Sequence, residues 1–488
     1  MIDKFVDRHE ELSALEGSGS KARLVVVYGR RRIGKTELIN RYLKGKNASY
    51  YLATDQPLQE QLAIISGIVG HQIGDEELYR FPARDIEPIL YKLHKKSLES
   101  KSAPILAIDE YPKLARADPS LTSKLQRSWD MYLSKGKAVL ILSGSSTSMM
   151  HSEVLNYSAP LYGRSSTILR LKTLPFRYAA QLMPRGITFV DKLRLYFILG
   201  GIPAYYGLTG GFKGGIGGIV NSMVAEGSAF LSEPSLLLSE EVRNDRRYIA
   251  VLNAVANGLR KPNEIANAIG INQNNLSRYT TLLEQVGLLA KEYPAASSSR
   301  TRLSKQGNYV VADNFTNFYF TNLYPKMGML DAGQRDEAAK TIVGELDMLS
   351  SRRFERFSTE FLLQSLSRME HGFEITEIGR WWGRDPARRI GTNEEEIDVV
   401  ALNGNTGDIL FGECKWTSGP LGADVYSDLK RKAALVRWRN GKRREHFALF
   451  SKGGFTQGME RLAKGEGAML FDLGRIEDEM SRAAKRGK

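Results

Sequence analysis

Eight residues, Gly29-Arg30-Arg31-Arg32-Ile33-Gly34-Lys35-Thr36, have the types and spacing to hold a phosphate. Gly29 and Gly34 allow backbone turns that a side chain would block, so successive N–H groups can face one anion. Arg30, Arg31, Arg32 and Ile33 fill the turn between them, and Glu37 follows it. Lys35 would reach the β- and γ-phosphates of a nucleotide, and Thr36 would offer its hydroxyl to Mg²⁺. These residues need a rigid mount. The apolar run Leu24 to Tyr28 ahead of them reads as a buried strand, and Glu37 to Leu43 behind them as a helix whose positive end points at the same place.

A second pair of candidates closes another apolar run, Ile105-Leu106-Ala107-Ile108-Asp109-Glu110. A buried parallel strand ends this way. Asp109 would hold the Mg²⁺, directly or through water, and Glu110 would orient or deprotonate an attacking water. A third buried-strand run, Ala138 to Leu142, ends in Ser143-Gly144-Ser145-Ser146. Those serines either touch the nucleotide or cap the helix that begins near Thr147. Arg164, in Pro160-Leu161-Tyr162-Gly163-Arg164, would stabilise transition-state charge in cis or reach a neighbouring subunit's nucleotide in a homo-oligomer.

Taken together, FVDRHEEL, GRRRIGKT, ILAIDE, LSGSSTSMM, PLYGR and GGIPAYY resemble the archaeal ATPase family, a branch of the STAND/AAA+ P-loop NTPases. The resemblance runs over nearly the whole chain. It implies ATP and Mg²⁺ as cofactors, Ser143 or Ser145 as the residue that senses the γ-phosphate, and Pro203, in Gly201-Ile202-Pro203, as a contact to adenine from a helical lid.

Beyond the lid the texture changes. Arg247 to Val255, Lys261 to Gly270 and Asn272 to Glu284 have the spacing of three short helices, and Gly287 to Lys291 and Tyr309 to Val311 that of two strands. This order is a winged helix-turn-helix. Its third helix would present Gln273, Asn274, Asn275, Ser277 and Arg278 to DNA bases or phosphates, with Ser297 to Arg302 touching the backbone. The same module used only for packing or protein contacts is the alternative.

The last domain carries Asp398 in Glu394 to Leu402, then Glu413-Cys414-Lys415 after a turn at Asn403 to Asn405. Glu413 and Lys415 share a strand face. The family's C-terminal domain is similar to the PD-(D/E)XK nuclease core, in which Asp398 and Glu413 would bind Mg²⁺ and Lys415 would position or activate water. Glu355 would be an additional acid from the preceding helix. The tripeptide alone carries little weight, because Glu99-Ser100-Lys101 has it too. Asp398 ahead of it and the strand setting carry the reading.

The expected class is α/β: a P-loop NTPase with a parallel sheet (1–165) and helical lid (166–240), a winged helix-turn-helix (241–312), a helical connector (313–345), an α/β restriction-endonuclease-like domain (346–475) and a basic tail (476–488). Composition agrees. The chain has 488 residues, is 42% hydrophobic and 25% charged, and carries a net charge of +14, which favours nucleic acid as a partner. No apolar run reaches the ~18 residues of a membrane span, so no membrane partner is expected. The start lacks the apolar core of a signal peptide, and the single cysteine, Cys414, excludes an internal disulfide framework, so the expected location is the cytoplasm. Two functions follow: an ATPase that binds DNA and cleaves it, or a slow ATP-driven switch whose nuclease fold is inactive and serves as a clamp.

Overall fold

In the computed structural model, residues 4–17, 21–157, 159–209, 214–242, 244–297, 307–369, 372–389 and 393–486 are described. The chain divides into two compact units.

The first unit comprises residues 1–174, 202–207 and 234–245. Its centre is a five-stranded parallel sheet in the order β2-β3-β4-β1-β5, made of β1 (Arg23–Tyr28), β2 (Ala48–Leu52), β3 (Ile105–Asp109), β4 (Val139–Gly144) and β5 (Thr167–Arg170). β1, β3 and β4 are buried along their whole length. That is why they read as unbroken apolar runs. Helices Leu58–Ile73 and Ile86–Glu99 cover the sheet with Leu62, Ile65, Val69, Leu90 and Leu93.

β5 corrects the expected boundary at residue 165. It pairs with β1 through Val25 and Thr167, so the sheet extends into the stretch assigned to the lid. Its four residues alternate between half-buried and exposed at the sheet edge, and therefore lack the long apolar signature of the inner strands.

The second unit comprises residues 175–201, 208–233 and 246–488. The expected lid is thus not one body. Residues 175–201 and 208–233 pack with the C-terminal part of the chain. The cause is an aromatic seat, in which Phe176 and Phe197 meet Phe357 edge-on and the Tyr196 hydroxyl donates to Glu360 at 2.9 Å. Phe357 and Glu360 lie on one helix, Arg335–Ser365, that runs straight through the expected boundary at 346. No proline interrupts it, and Phe354, Phe357 and Phe361 bury one face.

Helices Arg246–Ala256, Pro262–Ala268 and Gln273–Val286 are followed by an antiparallel pair, β6 (Leu289–Glu292) and β7 (Asn308–Val311). Of the expected wing contact, residues 298–302 lie outside the described residues. A second sheet, ordered β12-β11-β10-β9-β8, is built from β8 (Glu377–Arg384), β9 (Glu394–Leu402), β10 (Asp408–Lys415), β11 (Arg444–Ser451) and β12 (Met469–Asp472). β8, β9 and β10 are antiparallel neighbours, and β10, β11 and β12 run parallel. The expected basic tail is also corrected. Leu473–Arg486 is a helix, started by Asp472, which accepts the Arg475 N–H at 2.7 Å, and anchored by buried Ile476.

Candidate functional site

The phosphate loop lies between β1 and the helix Lys35–Leu43. Gly29 sits at φ 148°, and a Cβ there would stand 2.7 Å from the Leu171 carbonyl oxygen. Gly34 (φ 98°) and Arg32 (φ 66°) also take left-handed or glycine-type backbone angles, which lay the loop across the helix start. Buried Arg8 clamps the loop from outside, donating to the carbonyls of Ile33 at 3.4 Å and Lys172 at 2.7 Å. Sequence reasoning missed this arginine as a support. Its place in FVDRHEEL was the only signal.

Lys35 is buried and folds its ammonium onto the carbonyls of Gly29 (2.9 Å) and Arg30 (3.2 Å). Burial pulls its pKa down, against the nearby carboxylates of Glu110, Asp109 and Glu240. Thr36 Oγ1 donates to Asp109 Oδ2 at 2.6 Å, and Tyr50 donates to the same oxygen at 3.0 Å. Burial and then the Asp109 carboxylate push the Tyr50 hydroxyl up. Glu37 begins the outward face of the helix and is exposed.

Glu110 follows Asp109 in a left-handed conformation (φ 53°) that turns its side chain back over the sheet end. Its Oε2 accepts from Ser145 N–H (3.2 Å) and Ser145 Oγ (2.8 Å). Ser145 Oγ also lies 3.1 Å from Glu240 Oε2, and Glu240 Oε1 accepts from Arg31 at 3.0 Å. Next to it, Glu241 accepts the N–H groups of Thr147 (2.7 Å) and Ser148 (3.0 Å), where the helix Thr147–Met150 begins. These two acids were not foreseen. Ser143 Oγ is buried near the tip of β4, in register with Val27, with no hydrogen-bond partner among the described residues.

These residues fit a nucleotide and its cation. The loop amides, Lys35 and Ser143 supply donors for phosphate oxygens, and the Thr36–Asp109 pair supplies one hydroxyl and one carboxylate, a donor set Mg²⁺ takes together with water and phosphate. Pro203 opens the short helix Pro203–Leu208 and belongs to this unit. Arg164 is held elsewhere, by a bidentate pair with Asp130 at 2.8 Å for both bonds and by the Pro160 carbonyl.

In the second unit, Asp398 on β9 comes beside Glu413 on β10, one step past the paired Val399 and Gly412. Asp398 Oδ2 accepts the Cys414 N–H at 2.9 Å. Burial, reinforced by Glu355 and Glu413, pushes Asp398 up to about 7. Lys415 bonds Glu413 at 2.6 Å, and Lys432 stands 3.5 Å from the other oxygen. Asp398, Glu413 and Lys415 are therefore brought together, and Glu355, on the helix Arg335–Ser365, stands near enough for its charge to act on Asp398. Among the described residues no group of three or more His, Cys, Asp or Glu side chains is arranged to hold a metal. Gln273, Asn274, Asn275, Ser277 and Arg278 are all exposed on the first turns of their helix, which Asn272 starts by accepting the Asn274 N–H. Among the described residues, no helix is long and apolar enough to cross a membrane.

Residues 5–207 match a family described as an ATPase domain predominantly from Archaea, and residues 319–433 match one described as archaeal and bacterial proteins of unknown function. An uncharacterised protein of Methanocaldococcus jannaschii is 31% identical over 437 residues, which is 88% of this chain and 92% of that protein. An uncharacterised ATP-binding protein of the same organism is 52% identical over 47 residues, 9% of this chain and 80% of that protein. Among solved structures, the Walker-type ATPase of Pyrococcus abyssi superposes with a TM-score of 0.51 at 19% identity, over 65% of this chain and 96% of that one. At that identity the likeness concerns the fold.

Proposed function

This chain belongs to the family of ATPases found predominantly in Archaea, and from that premise we propose a Mg²⁺-dependent ATPase that acts on DNA. ATP binding and ATPase function belong to the family. The observation that carries the Mg²⁺ reading is the 2.6 Å bond between Thr36 and Asp109, with Glu110 next in the chain. When bound, ATP supplies a γ-phosphoryl group open to attack by water. Lys35 and the loop amides would neutralise phosphate charge, Thr36 and Asp109 would hold the cation, and Glu110 Oε2 would orient the water and take its proton. Ser145 would fix the direction of Glu110 through its two bonds to that carboxylate. Pro203 would line the adenine. Arg164 would serve a neighbouring subunit only after leaving Asp130. Replacing Lys35 with Ala tests the centre: ATP turnover should fall to background, and full turnover would sink the assignment.

For DNA, the helical module and antiparallel pair support a winged helix-turn-helix reading, with exposed Gln273, Asn274, Asn275, Ser277 and Arg278 on the contact helix. Asp398, Glu413 and Lys415 support a nuclease centre in which Mg²⁺ would sit on the two carboxylates. One observation favours the alternative, a regulatory switch with an inactive nuclease fold: Lys415 and Lys432 already flank both oxygens of Glu413. Incubation with single-stranded, duplex and branched DNA in Mg²⁺ or Mn²⁺ separates the two. Cutting that Asp398→Ala removes supports the nuclease, whereas no cutting by the intact protein leaves the switch.

A further inference from the structure

The helix Arg335–Ser365, the end of the helix Arg246–Ala256, the β6–β7 pair and β8 line a cavity of ≈ 630 Å³ within the second unit. This lies in the range of about 300–1,000 Å³ usual for ligand sites. Its lining is strongly cationic: Arg260, Lys291, Arg352, Arg353, Arg356 and Arg380, against Glu292, Glu355 and Glu377. Arg353 is committed to the fold, bonded to Asn314 and Asn317 side chains and close to the Val311 carbonyl. Arg380 bridges Glu355 (3.5 Å) and Glu396 (2.5 Å), and Arg260 also reaches Glu396 at 3.4 Å.

The other three cations are different. Among the described residues, Lys291, Arg352 and Arg356 have no carboxylate within ion-pair distance. Among the described residues, Arg356 donates to the Val311 carbonyl alone, at 3.4 Å. The Lys291 ammonium rests over the rings of Tyr293 (5.6 Å) and Tyr309 (5.7 Å). Arg352 and Arg356 are exposed at the rim, and Tyr293 is half-buried. A concave wall with three cations outside ion-pair distance of any carboxylate among the described residues, and a half-buried ring beside them, suits a phosphate chain with unstacked bases. The cavity is also anchored to the acid cluster. Ala295 N–H, on its wall, bonds the Arg380 carbonyl at 2.7 Å, and Glu355, on the same wall, stands near enough to Asp398 for its charge to help raise that carboxyl.

We propose that this cavity seats an unpaired nucleic-acid strand, its phosphates on Lys291, Arg352 and Arg356 and a base against Tyr293. Its role as the approach to Asp398 rests on the nuclease reading; the binding itself does not. The full chain is titrated in EDTA with fluorescein-labelled oligothymidylate, read by anisotropy, across a salt series. The paired variant Arg352→Ala/Arg356→Ala removes two exposed side chains and should fold, which its thermal melt checks. Its affinity for the strand should fall about tenfold, and the salt slope should shrink by about 0.7 for each lost phosphate contact. Asp398→Ala should bind like the native chain. Unchanged affinity in the paired variant overturns the proposal, as does an equal loss in Arg278→Ala, which would put the strand on the helical face. Full competition by a mononucleotide overturns it too, in favour of a small-molecule site. If no DNA is cut yet the arginine dependence holds, the strand site stands and the nuclease reading falls. Normal cutting and binding by the paired variant gives the reverse.

Discussion

Glu240 and Ser145 meet at 3.1 Å, and through that contact the acid is joined to Glu110 on one side and to Arg31 of the phosphate loop on the other. A carboxylate is thus held in place among the groups that would answer to a nucleotide's terminal phosphate. It also lies in the field of Lys35. Negative charge on a γ-phosphate would compete with Glu240 for Arg31 and Lys35, whereas a nucleotide lacking that group would compete less.

Glu240→Ala should therefore tighten ATP binding more than ADP binding. Arg31 is partly exposed, so the charge effect is screened and of the order of 1 kcal/mol, roughly fivefold in affinity. Titration with fluorescent ATP and ADP analogues reads the ratio. An unchanged ATP-to-ADP ratio would make Glu240 a structural link only.

Asp109→Asn tests the cation. The side chain is fully buried and accepts from Thr36 and Tyr50. An amide oxygen can still accept, so folding should survive. Loss of the charge should lower Mg²⁺-dependent ATP turnover by about 10²–10³-fold, the scale expected when one electrostatic stabiliser of the transition state is removed. Nucleotide binding in EDTA should be little changed. Turnover close to native would exclude Asp109 as the cation ligand.

Much of this centre was legible because its chemistry is local. Gly29 to Thr36 and Ile105 to Glu110 are contiguous, and each couples an apolar strand to a polar end. Glu240 was not legible, since it reaches Arg31 across 209 residues and nothing near it in sequence marks a partner. β5 escaped because an edge strand with two exposed residues in four has no apolar run. The boundaries around residues 166–240 failed for a related reason. Periodicity identifies the helices but not the surface that buries them, and Phe357 is the surface for Phe176 and Phe197. In the C-terminal sheet, Asp398, Glu413 and Lys415 were readable from strand pattern and spacing. The lysine partner Lys432, on a later helix, was not.

Arg8→Ala should destabilise the first unit. Arg8 is 6% exposed, and its guanidinium serves two carbonyls from separate parts of the chain, besides pairing with Glu11 at 2.8 Å. Leaving those acceptors unpaired costs about 1–3 kcal/mol. A drop of that size in urea-unfolding free energy is expected, with weaker nucleotide binding because Ile33 loses its support. Native stability would mean water replaces the clamp without loss.

Glu360 provides a pH test of the aromatic seat. Burial pushes its carboxyl above the ordinary glutamate value, only partly offset by the Phe176 N–H (2.7 Å), the Tyr196 hydroxyl (2.9 Å) and the charge of Arg356. Because the folded value is raised, both states are protonated below the unfolded value, and no cost arises there. As pH rises through the folded value, the native state must either keep its proton or bury a charge, and stability is lost. Glu360→Gln keeps an acceptor for the Phe176 N–H, and its amide N–H meets the Tyr196 oxygen once that hydroxyl turns from donor to acceptor, but it cannot ionise. Its melting temperature should match the native chain at pH 4 and exceed it at pH 8, with the gap opening upward from the glutamate value of 4.5. Melting curves across that range decide it. A gap that is constant with pH would assign Glu360 to packing alone, and one that opens toward acid would reverse the sign of its charge cost.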